Sequence, residues 1–91
     1  MSDTPSPDFS GLDGGDEQQA ADLVRDVVTW YSTQLVAERR APVPDEHRVE
    51  ELTAGRQAAL EDQQRLDTAD PRETERIAEL YAARLKELKE S

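Results

Sequence analysis

The sequence predicts an all-α fold, and three observations carry that expectation. Apolar residues recur at spacings of three and four along most of the chain beyond residue 15. Two short proline-bearing segments, Ala41-Pro42-Val43-Pro44 and Thr68-Ala69-Asp70-Pro71, divide that stretch into three parts of similar length. The residues flanking each break suit helix ends. Short connections place consecutive helices antiparallel. The expected architecture is an up-down-up three-helix bundle, or a helical hairpin with a packed third helix, behind a disordered acidic N-terminal tail. A competing arrangement pairs the hairpin of the second and third helices with the first helix of another chain.

Residues 1–15 read as the tail. Pro5, Pro7, Gly11, Gly14 and Gly15 alternate with Ser and Asp. Such a segment has too little apolar surface to offset its ordering entropy. Asp3, Asp8, Asp13, Asp16 and Glu17 fall in a stretch without Lys or Arg, so half of the net charge of −10 is concentrated there. Phe9 and Leu12 are the two large apolar residues among these acids. They read either as linker or as a short motif that docks into a partner groove.

The helical domain spans 16–91, with helices expected at about 16–40, 45–67 and 71–90. In the first, Asp16 and Glu17 suit the positive end of the helix dipole, and Arg39 and Arg40 suit the negative end. Ala20, Leu23, Val24, Val27, Val28, Trp30, Tyr31 and Leu35 fall within half of its circumference. A stripe this wide can contact two neighbours. Its valines lower intrinsic helix propensity, so tertiary burial must hold it.

The second helix carries Val49, Leu52, Arg56, Ala59, Gln63 and Leu66 at alternating spacings of three and four. This is a heptad-like seam with two polar members. Arg56 and Gln63 read as side chains that snorkel to the bundle edge, or as inter-helix polar contacts, with Arg56 meeting a carboxylate. Gly55 is a weak point in the helix, costing about 1 kcal/mol relative to Ala. In the third helix, Asp70 is the expected N-cap and Pro71 the first helical residue. Ile77, Leu80, Tyr81, Leu85 and Leu88 form its expected apolar face.

Composition narrows the function. Hydrophobic and charged residues each make up 35% of the chain, so any core is lean and added burial in a dimer or complex is favoured. A pI of about 4.4 removes the phosphate-neutralising term that drives nucleic-acid binding, and disfavours anionic membranes. The absence of cysteine excludes disulfides, thiolate chemistry and Cys-type zinc sites. The start of the chain lacks the basic and apolar regions of a secretory signal, and no apolar run is long enough to span a bilayer. A cytoplasmic location is the resulting expectation. Nine of the eleven basic residues are Arg, a composition consistent with a GC-rich bacterial source.

No residue pattern points to catalysis, a cofactor or a metal. His47 is the sole histidine, and it lacks the Glu three residues earlier that di-iron bundles use, since Pro44 stands there. Ser32, Thr29 and Thr33 have no base in register. The expectation is therefore an adaptor or regulator that acts by protein–protein contact, self-associating or joined to a larger, basic protein. Val27, Trp30, Tyr31 and Leu35, with Phe9 and Leu12, are the expected partner-binding residues, because large aromatics dominate interface energetics. An antitoxin-like inhibitor that neutralises a basic surface is the second reading. A small all-helical enzyme is the third.

Overall fold

The computed structural model describes the backbone of residues 8–90 and the side chains of residues 17–90. Three helices form an all-α bundle: α1, Asp8–Arg40; α2, Glu46–Arg65; and α3, Pro71–Glu90. The first is 33 residues long and the others 20 each. At 1.5 Å per residue, α1 is therefore about 50 Å long and its neighbours about 30 Å. It begins eight residues ahead of the expected start at Asp16 and continues through Gly11, Gly14 and Gly15. Extending an existing helix needs only propagation, without the cost of a new nucleus. The remainder of the expected tail, residues 1–7, lies outside the described residues.

The chain reverses at each proline-bearing break. At the first, Asp45 is extended (φ −88°, ψ 106°), and its carboxylate accepts a hydrogen bond from the Arg48 amide at 3.2 Å. The Asp45 amide donates in turn to Glu38 Oε2 at 3.0 Å, tying the start of α2 to the last turns of α1. At the second break, Asp70 accepts from the Glu73 amide at 2.8 Å, and Pro71 is the first residue of α3. Both caps satisfy amides that a helix start leaves unpaired.

The wide stripe on α1 organises the bundle. Both α2 and α3 pack mainly on α1 rather than on each other. The core joins Val24 and Val27 of α1, Ala59 of α2, and Ile77, Tyr81 and Leu85 of α3. Leu23, Val28, Tyr31, Leu66 and Leu88 pack around it, half-buried. Leu35 and Leu52 are buried as well, toward the C-terminal end of α1. The seam of α2 faces inward, with Leu52 and Ala59 buried and Val49, Arg56, Gln63 and Leu66 half-buried.

On α3 the inward face is rotated slightly from the expected one. Leu80 is 48% exposed, whereas Thr74 is buried at 3%. Thr74, Ile77, Tyr81, Leu85 and Leu88 follow one another at three- and four-residue steps, and Leu80 lies to one side of that row. Leu80 was expected on the inward face, but the row of the helix facing α1 decides the matter.

Gly55 is a notch. A Cβ placed there would meet the Tyr31 ring, 2.6 Å from Cε1 and 2.7 Å from Oη. The missing side chain is what lets the tyrosine of α1 cross the face of α2. The Gly55→Ala variant therefore gains up to about 1 kcal/mol of helix propensity yet has to expel the ring. We expect a net loss of about 1 kcal/mol in urea unfolding, partly recovered when Tyr31→Leu is added. Asp70→Ala removes the cap of α3 and is expected to cost about 1 kcal/mol in the same measurement.

Candidate interaction surface

The expected partner-binding residues separate into three groups. Val27 and Leu35, 0% and 7% exposed, are buried in the chain's own bundle. That corrects their expected role as a docking surface, because α2 and α3 already cover the stripe that carries them. Trp30 and Tyr31 remain half-buried, with ring centroids 5.2 Å apart in an edge-to-face arrangement at 85°. Tyr31 leans inward toward Gly55, and Trp30 lies at the outer edge of the stripe. The side chains of Phe9 and Leu12 lie outside the described residues.

Arg56 makes an inter-helix contact, with a partner of a different kind. Its Nε donates to Ser32 Oγ of α1 at 2.8 Å, a hydroxyl in place of the expected carboxylate. The contact is partly buried, and a hydrogen bond from a charged donor is worth more there than at the open surface. Gln63 is half-buried, and among the described residues no hydrogen bond joins it to α1 or α3.

The polar link between α2 and α3 was not anticipated. The Tyr81 ring is buried, and its hydroxyl donates to Asp62 Oδ2. Arg84 lies 5.4 Å from the centre of that ring, within range of a cation–π attraction. Arg65 approaches the other Asp62 oxygen at 3.4 Å. Burial, then the hydrogen bond to Asp62 and its negative charge, push the Tyr81 hydroxyl well above the ordinary tyrosine range. Tyr81 and Asp62 are 19 residues apart, and no local rule pairs them.

Other polar groups offer less. The His47 side chain is 80% exposed, and its Nε2 lies 3.5 Å from Glu51 one turn along the same helix. Among the described residues, no three His, Cys, Asp or Glu side chains converge to hold a metal ion. No helix among them is long and apolar enough to cross a membrane.

The outer face of α1 is where the surface departs from its surroundings. From Val27 to Ala37 there are eleven consecutive residues without a charge, in a chain that is 35% charged. The stripe side of this stretch is consumed by packing. The side that remains carries Thr29, Trp30, Thr33, Val36 and Ala37, all within about a third of the helix circumference. Trp30 is half-buried, Val36 is 49% exposed and the other three are exposed. The break in charge was visible in the sequence, but a search for apolar spacing alone passes over threonines.

The Tyr81 linkage has a pH signature. In the unfolded chain a tyrosine loses its proton near pH 10, while the folded protein holds that of Tyr81 to higher pH. Its contribution is therefore complete below pH 10 and is lost as pH rises above it. The slope is at most about 1.4 kcal/mol per pH unit, reduced where water reaches the hydroxyl. We expect Tyr81→Phe to be less stable by about 1 kcal/mol at pH 7. The gap between variant and wild type should narrow above pH 10 in parallel denaturation curves. A gap independent of pH would mean that this proton is not linked to folding.

Neither a family model, nor a curated protein, nor a solved structure matches the chain.

Proposed function

We propose that the protein is a small cytoplasmic interaction module, an adaptor or regulator whose outer α1 face docks onto another protein. The uncharged stretch from Val27 to Ala37 carries this reading. Interface cores are depleted in charge and enriched in aromatics, and tryptophan is among their strongest anchors. Trp30 is the chain's one tryptophan, and it is left half-buried at the border of that face. Asp26 and Asp22 lie one and two turns, respectively, before Trp30 on the same side of α1. They form an acidic rim suited to basic residues on the partner, and the net charge of −10 steers such a partner from a distance.

Neutralisation of a basic surface by charge alone is the second reading, and the net charge of −10 favours it. The two readings separate on one residue. Thr33 is exposed, so Thr33→Arg leaves the fold intact, yet it sets a charge in the centre of the outer face. For a docking face, Thr33→Arg and Trp30→Ala each weaken capture of the native partner at least about tenfold, with helicity unchanged by circular dichroism. For neutralisation, both variants bind as wild type, and binding collapses instead between low and high salt. That second outcome would remove the docking reading.

A further inference from the structure

A shallow groove runs between α1 and α3. Leu23 of α1 and Ala78 and Ala82 of α3 line one section, about 250 Å³ in volume, with Glu75 and Glu79 beside them. A second section of about 380 Å³ continues past Leu23 and Ala82 to Lys86 and Lys89, with Glu90 at its far end. The groove is thus apolar along its middle, with Glu75 and Glu79 toward one end and Lys86 and Lys89, followed by Glu90, toward the other.

Glu75, Glu79, Lys86 and Lys89 are exposed, and among the described residues none of the four forms an ion pair within the chain. Glu75 and Glu79 are like charges four residues apart and Lys86 and Lys89 like charges three apart, while Arg72 and Arg76 lie three residues before the two glutamates and Glu90 four after Lys86. The helix dipole accounts for Lys89, in the last turn. It does not account for Glu79 and Lys86, because the dipole's influence fades beyond the terminal turns.

The pattern is self-complementary about one residue. Glu75 lies seven residues before Ala82 and Lys89 seven after it, while Glu79 lies three before and Lys86 four after. A second α3 laid antiparallel, with Ala82 against Ala82, sets Glu75 opposite Lys89 and Glu79 opposite Lys86. Twofold symmetry repeats both pairs, giving four. An isologous contact requires this inversion of charge about its axis. The small Ala78 and Ala82 side chains leave room for the second helix to approach, and Leu23 supplies apolar contact beneath it.

We propose that this groove is the site of homodimerisation, filled by α3 of a second copy of the chain running antiparallel about an axis near Ala82. The net charge of −10 opposes the encounter at long range. At physiological ionic strength the screening length is about 8 Å, so that repulsion is damped while pairs in contact survive. Thr29, Thr33 and Val36 lie outside the groove, so the inference does not rest on the docking face of α1.

The test is a set of charge exchanges, read by sedimentation velocity at physiological salt and concentrations up to about 1 mM. Wild type is expected to dimerise. The all-lysine variant (Glu75→Lys, Glu79→Lys) and the all-glutamate variant (Lys86→Glu, Lys89→Glu) should each shift at least about tenfold toward monomer. Mixing them should restore a dimer, now a heterodimer, and the fully exchanged chain carrying all four substitutions should dimerise again. That rescue separates a lost interface from a damaged fold, and circular dichroism on each variant provides the control. Wild type that stays monomeric throughout overturns the proposal and leaves the groove to a different occupant. So does a dimer that survives in both single-sign variants, or a fully exchanged, normally helical chain that fails to associate.

Discussion

Everything in this fold depends on one helix having more apolar surface than a single neighbour can cover. The stripe on α1 occupies about half its circumference, from Ala20 to Leu35. Burying it takes two helices, one on each flank, and neither has enough apolar surface of its own to bury without α1. Hence α2 and α3 rest on α1 and scarcely on each other. The valines at 24, 27 and 28 lower the helix propensity of α1, so the helix and its cover are mutually dependent. A fold of this kind has one hydrophobic axis and two lids, joined by turns short enough to enforce reversal.

Polar contacts then fix what apolar burial leaves free. Hydrophobic contact is non-directional, so α2 and α3 could each slide along the stripe at little cost. The Tyr31 ring in the Gly55 notch and the Arg56–Ser32 hydrogen bond pin α2 at two adjacent levels. Glu38 receiving the Asp45 amide pins its start. Tyr81 on Asp62 supplies the corresponding constraint between α2 and α3. Each of these is individually modest. Together they select one register from several that would bury comparable area.

Much of this was legible in the sequence, and the division between what was and was not has a physical basis. The breaks at Pro42, Pro44 and Pro71 and the cap at Asp70 are local, and each constraint acts within a few residues. The wide stripe on α1 correctly implied two neighbours, because face width is a property of one helix. What the sequence hid is non-local. Nothing in the neighbourhood of Gly55 says that a tyrosine 24 positions earlier needs the space, and a glycine read as a defect is in fact a fitting. Nor does spacing reveal that Arg56 meets a hydroxyl, or that Thr74 goes inward and Leu80 outward. Those depend on how far α3 rolls against α1. Val27 and Leu35 show the same limit. An apolar face identifies residues that must be covered, and only the assembled chain reveals that α2 and α3 are the cover.

That distinction bears on function. A lean bundle uses its best apolar residues internally, so its recognition surface has to be built from what remains. On α1 that remainder is defined by the absence of charge: Thr29, Thr33, Val36 and Ala37, bounded by Trp30. On α3 it is the groove face, where Glu75 and Glu79 precede Ala82 and Lys86 and Lys89 follow it. In a surface where one residue in three is charged, solvation favours an even mixture of signs. The gap of eleven residues on α1 runs against that mixing. It does not help an isolated chain to fold, since the gap exposes apolar area. Features that cost the monomer and are compensated only by contact with another surface are the ones most reasonably assigned to association.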